Sequence, residues 1–287
     1  MDAAESTCLN CSAPLRGEYC AQCGQRKTNR NPTLREFIGE TFREMFEWDG
    51  KIPATLRALL AHPGLLTEDF LAGRRARWIS PLRVYLICSV AYFLVDPVVA
   101  HVTGRPVEQR AAISFTDDTG GRVSLDELTP EALEALASAP IFDRIGVERL
   151  KRIGNNSGAI SEIVVEAIPK AMFVLMPLFA LLTWSAWRSG GARYPAHLYF
   201  SLHLHAAFFA AIVLPSLAKA LRYETASTVL GALALVYSTW YGGLAIKRVL
   251  GGTTGQLIGR SLVVGTVYSV ALLAVIVGIT VAAMLQF

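Results

Sequence analysis

The sequence predicts an all-α polytopic membrane protein with about five transmembrane helices and a small metal-binding ribbon at its N-terminus. Three observations carry that expectation. Of 287 residues, 53% are hydrophobic and only 17% charged, against about 25% charged in an ordinary soluble domain. The apolar residues fall in uninterrupted runs after position 80, whereas the first 80 residues are polar and amphipathic. Four of the five cysteines stand in two Cys-x-x-Cys pairs within "CLNCSAPLRGEYCAQCGQ".

The ribbon is assigned to residues 1–30. Cys8 and Cys11, then Cys20 and Cys23, are separated by the eight residues "SAPLRGEY". Each pair folds a tight turn that aims two sulfurs at one ion, and the short arm brings the second pair back to close a tetrahedron. Gly24 follows the second pair, where a residue tolerant of positive φ eases the turn. So short a segment cannot build a hydrophobic core, so the metal would supply the folding free energy. One structural Zn2+ is therefore expected, with its coordination sphere closed to substrate. Disulfides or a redox dithiol are the alternatives, but dithiol motifs accompany a βαβ pattern that is lacking here. No basic n-region followed by an apolar h-region is seen, so no cleavable signal peptide is expected. Arg26, Lys27 and Arg30 follow the ribbon. With a formal net charge of only +4, they read as a solvated or lipid-facing flank, and nucleic acid is not an expected partner.

Residues 31–80 read as amphipathic cytoplasmic or juxtamembrane helices. Leu34, Phe37, Ile38, Thr41, Phe42, Met45 and Phe46 share one face of "NPTLREFIGETFREMFEWDGK", and charged residues share the other. Its many acidic residues disfavour simple adhesion to anionic lipid, so packing against protein is expected. A second short helix stops at His62-Pro63-Gly64. Arg74, Arg75, Arg77 and Arg83, with Trp78, read as a lipid-facing basic collar, since arginine attracts anionic headgroups and tryptophan favours the interface.

The transmembrane domain, 81–287, has spans at about 81–102, 165–187, 196–218, 226–246 and 262–285, each near the roughly 20 residues a bilayer core requires. Arg188 and Arg193 follow the second span, and Lys247, Arg248 and Arg260 follow the fourth, with no acidic residue in either connection. The connection 103–164 is acidic overall. Basic flanks thus place the N-terminus in the cytoplasm, the 103–164 loop in the periplasm and the C-terminus outside. A cytoplasmic ribbon keeps its thiols reduced. Within the loop, Thr129 and Pro130 are expected to start a short helix over 130–138.

The third span carries "YPAHLYFSLHLHAAFF", in which His197, Ser201 and His205 are spaced i, i+4, i+8 on one face, while His203 points elsewhere. Intramembrane polar groups are functional candidates by default; the bland alternative is hydrogen bonding between helices. A further polar cluster, Asp96, His101, Glu166 and Lys170, is expected toward the outer side, with Glu166 and Lys170 spaced to pair. Interfacial snorkelling is its bland alternative. Pro97, Pro169, Pro177 and Pro215 can kink their spans. Cys88 reads as an apolar filler.

In the order "CLNCSAPLRGEYCAQCGQ", "DGKIPATLRALLAHPGLLTEDFLAGRRARWISPLRVYL", "IPKAMFVLMPLFALL" and "YPAHLYFSLHLHAAFF", the chain resembles bacterial inner-membrane proteins of unknown function with an N-terminal zinc ribbon. The resemblance covers most of the chain and implies a polytopic protein with a cytoplasmic ribbon. It implies no activity and no catalytic residues. The residues favour a non-enzymatic scaffold, or a small-solute transport or sensing component, whose ribbon docks a cytoplasmic protein; a homo-oligomer is also allowed. The alternative is a membrane-embedded enzyme acting on a lipid or lipid-linked substrate through the His197/His205 face.

Overall fold

Proline and glycine set the ends of the helices. The computed structural model describes residues 6–27, 33–36, 38, 50–104, 114–116, 122–124 and 156–286. The chain divides into two compact units, Met1–Pro106 with Met176–Tyr268, and Val107–Leu175 with Ser269–Phe287. The helical elements are α1 (Ile52–Ala61), α2 (Leu65–Leu71), α3 (Pro81–Thr103), α4 (Ser157–Ala186), α5 (Tyr194–Ala220), α6 (Glu224–Val249) and α7 (Thr254–Met284). α1, α3 and α5 each carry proline in the first turn, where its missing N–H has no intrahelical partner to lose. α3 ends at Gly104 in the left-handed conformation.

The fold class is the all-α polytopic one expected. Among the described residues, five helices are long and apolar enough to cross a membrane: Pro81–Thr103, Glu166–Ala186, Tyr194–Ala220, Glu224–Val249 and Thr254–Met284. α7 begins at Thr254, ahead of the apolar run starting near 262. Thr253 and Gln256 form a capping box there, each side chain bonded to the other's backbone N–H at 3.4 and 3.2 Å. Hydropathy locates a lipid crossing, whereas capping chemistry locates the helix end.

In the first unit, α5 is the centre. Every residue from Tyr199 to Ala207 is buried, as a helix enclosed on all sides requires. It packs chiefly on α3 and α6. Ala206 and Ala207 supply the small side chains that let membrane helices approach. α1 and α2 form a hairpin against α5 and α6. Its turn is Gly64, at φ +77°, where a Cβ would lie 3.2 Å from the Ala245 Cα. Only glycine permits both that backbone and that approach. The ribbon has one short antiparallel pair, β1 (Ser6–Thr7) and β2 (Pro14–Leu15).

In the second unit, β3 (Ser114–Thr116) and β4 (Arg122–Ser124) pair antiparallel, Phe115 opposite Val123. This short pair adds to the all-helical expectation. Ile160 and Ala283 form a small buried cluster with Ile163 and Met284. The helix expected over 130–138 lies outside the described residues, as does most of the amphipathic stretch 34–46. Its start is described: Thr33 and Glu36 form a capping box, with Thr33 N–H donating to Glu36 Oε2 at 2.7 Å.

Candidate metal centre and the polar groups beneath it

The two Cys-x-x-Cys turns are near copies of one another. Cys8 N–H donates to Ala13 O at 2.8 Å and Ser12 N–H to Cys8 O at 2.8 Å; Cys20 N–H donates to Gln25 O and Gly24 N–H to Cys20 O, both at 2.9 Å. Ser12 and Gly24 sit at corresponding positions with φ of 62° and 71°. The four ligand atoms lie within 4.8 Å of one another, and the Cys8–Cys23 and Cys11–Cys20 sulfurs are 3.6 and 3.5 Å apart. A tetrahedral ion with metal–sulfur bonds of about 2.3 Å places its sulfurs about 3.8 Å apart. The cluster therefore fits one four-coordinate metal ion. No cysteine is in a disulfide. Backbone N–H groups of Cys23 and Gln22 pull the Cys20 thiol down to about 6, which favours the thiolate that a metal needs.

The ribbon is seated on the rest of its unit through a residue the sequence reading passed over. Gln25 is buried, and its amide nitrogen donates to Gly73 O at 2.7 Å. Its amide oxygen accepts the backbone N–H groups of both Arg75 and Ala76 at 2.9 Å. Leu9, inside the first Cys-x-x-Cys turn, covers Gly73; a Cβ there would stand 2.5 Å from the Leu9 Cδ1, on a backbone with φ +83°. A signal was present in the sequence. "CLNCSA" and "CAQCGQ" align residue for residue, and glutamine stands in the second turn where the first has alanine.

Below this contact, Asp69 is a buried carboxylate with three partners. It accepts Arg74 Nε and Nη2 at 2.8 and 2.6 Å and Trp78 Nε1 at 2.7 Å, and Arg77 lies 3.7 Å away. These contacts give two arginines of the basic collar, Arg74 and Arg77, a protein partner. Arg75 is buried, 6% exposed, with its guanidinium over the Tyr199 ring. Arg74 and Arg77 turn toward Asp69, and Arg83 is half-buried. A buried carboxylate demands cations, which Arg74 supplies at close range while Arg77 keeps half of its side chain exposed.

The histidines are packed within the first unit. His197, Ser201, His203 and His205 are all at most 6% exposed. His205 Nδ1 lies 2.8 Å from the Ser201 carbonyl, which can only accept, so Nδ1 carries the proton and Nε2 accepts the Tyr268 hydroxyl at 2.9 Å. Ser201 Oγ donates to Met176 O at 3.1 Å. His203, on a different face, meets Thr67 of α2 through Nδ1 at 3.0 Å. His197 is 1% exposed and, among the described residues, neither of its ring nitrogens has a hydrogen-bond partner. His197 and His205 are eight residues apart on α5, about 12 Å along the axis, too far to share one ion. Among the described residues, the four-cysteine cluster is the one group of three or more such ligands placed to hold a metal.

The four outer polar residues are divided between the two units. Asp96 is half-buried and His101 exposed in the first unit. Glu166 and Lys170 are exposed in the second, and no ion pair joins them among the described residues. Exposed side chains lose more entropy in such a pair than they gain in attraction. Cys88 is buried in α3.

Among the described residues, five membrane-length helices and a four-cysteine cluster define an all-α, multi-pass membrane protein with an N-terminal region that could bind a metal ion. A family model described as "Protein of unknown function (DUF3667)" matches residues 49–93. That stretch holds α1, α2, the loop that receives Gln25, and the first half of α3. No curated protein and no solved structure matches the chain.

Proposed function

We propose that the chain is a multi-pass protein of a bacterial cytoplasmic membrane that works without catalysis, as a scaffold or a small-solute transport or sensing component. Its four-cysteine site holds one structural Zn2+, because four thiolates in tetrahedral spacing suit that ion and leave no open position. The ribbon is the docking element for a cytoplasmic protein. One observation carries this reading: Gln25 fastens the ribbon to the loop that leads into the first span, so whatever holds the ribbon pulls on the membrane domain. The ribbon surface around Arg16, Glu18 and Tyr19 stays exposed, Tyr19 by 65%, and is the face offered to the partner.

The orientation draws support from the same region. Glu68 of α2 pairs with Arg248 at the end of α6, so the platform under the ribbon sits at the basic end of the bundle. Basic ends face the cytoplasm, where thiols stay reduced.

Purified full-length protein should hold one zinc per chain, and none after Cys8→Ser with Cys20→Ser. Proteins retained by the wild type from solubilised membranes should be lost with that variant and with Tyr19→Ala; an unchanged set removes the docking role. The rival reading, an enzyme using the His197/His205 face on a lipid-linked substrate, has in its favour the unpartnered nitrogens of His197. A second metal surviving in the cysteine variant would favour that rival.

A further inference from the structure

We infer that the outward face of α1 lies against the acyl chains of the leaflet nearest the ribbon, making α1 a lipid-embedded helix rather than a water-exposed one. The first ground is the helix surface. Thr55, Ala58 and Leu59 are buried against protein, while Pro53, Ala54, Arg57, Leu60 and Ala61 are exposed. Those exposed positions fall on one helical face, and Arg57 is its single charge. A helix that is apolar on the side facing away from its protein, as well as on the side facing it, belongs in an apolar surrounding. Arg57 can lay its stem along that surface and lift its guanidinium to the headgroups.

The second ground is depth. The Tyr237 hydroxyl donates to the Leu60 carbonyl at 2.8 Å. Tyr237 is twelve residues from the Val249 end of α6, about 18 Å along the axis. A phenol side chain bridges only part of that distance, so the Leu60 carbonyl sits well inside the end of a membrane-length helix. The neighbours of Tyr237 on that helix form an exposed apolar band: Leu233, Val236, Trp240 and Leu244. The Trp240 and Tyr237 ring centroids are 6.0 Å apart. The face of α1 continues this lipid-facing band.

The backbone agrees. In lipid, carbonyls released at a helix end need protein donors, since no water is present to supply them. The Leu60 carbonyl has the Tyr237 hydroxyl, and the Pro63 carbonyl has Arg248 Nη1 at 3.4 Å.

The test places a nitroxide at Leu60→Cys and, separately, at Ala54→Cys. Both are made in a Cys88→Ala background with the ribbon loaded with zinc to shield its own thiolates. The full-length protein is reconstituted into phosphatidylethanolamine/phosphatidylglycerol vesicles, with Leu233→Cys as lipid reference and Tyr19→Cys as water reference. Relaxation by oxygen relative to a polar nickel chelate should match Leu233→Cys. It should exceed Tyr19→Cys by about tenfold or more, because hydrocarbon strongly excludes polar solutes. Ready collision with the nickel chelate at both sites overturns the inference in favour of water. Low collision with both reagents overturns it in favour of a protein cover, whether a second copy or another chain. Ala54→Cys decides the matter should Leu60→Cys fail to retain its zinc.

Discussion

Replacing Gln25 by alanine removes the side chain that fastens the ribbon, without touching a metal ligand. Three hydrogen bonds disappear, each contributing about 0.5–1.5 kcal/mol net. The N–H groups of Arg75 and Ala76 and the carbonyl of Gly73 then lose their partners inside a closed contact. Water that enters can satisfy them, which holds the total to about 3 kcal/mol rather than the full sum of desolvation costs. Since about 1.4 kcal/mol is a factor of ten, the released form should become roughly a hundredfold more populated. The assay is tryptic cleavage of the full-length protein at Arg74, Arg75 and Arg77, with zinc content followed in parallel. Gln25→Ala should be cut far faster than wild type while keeping its metal. Gly73→Ala should act in the same way with the glutamine intact, since its Cβ would collide with Leu9. Equal cleavage rates for wild type and both variants, with zinc retained, would refute the fastening role.

Three further outcomes follow from the same geometry. Asp69→Ala should lower stability by about 2–3 kcal/mol, measured as a fall in the thermal midpoint. That lies below the 3–5 kcal/mol of a fully buried pair, because Arg74 keeps 35% of its side chain exposed and can be rehydrated. Tyr268→Phe removes the donor to His205 Nε2 and should cost only about 0.6 kcal/mol, typical of a hydrogen bond between membrane helices; a large loss of stability would point to a role beyond packing. Acidification should release the metal. The four sulfurs must be thiolates to hold an ion, so protons compete with it and retention should fall steadily as the solution passes from neutral into the acid range. Zinc retention against pH measures this, and retention unchanged well into that range would contradict it.

How much of the site could be read beforehand depended on the span of each interaction. The metal ligands are set within a few residues of one another, so the repeated Cys-x-x-Cys turn announces them. Arg75 could not be placed this way. Basic residues before a span usually face headgroups, yet here Arg75 is buried with its guanidinium over the ring of Tyr199. The histidine stripe was legible as a face, but its partners were not. Thr67 lies 136 residues from His203, and Tyr268 lies 63 residues from His205.

The sequence by itself determined the crossings and the metal site, because apolar length and cysteine spacing are properties of short, contiguous stretches. Only the tertiary structure decided which polar groups meet. Gln25 finds its loop about fifty residues on, Leu60 finds Tyr237 across 177 residues, and the His197 ring is enclosed without a hydrogen-bond partner among the described residues. Such meetings follow from helix packing, and packing depends on the shapes of several faces at once.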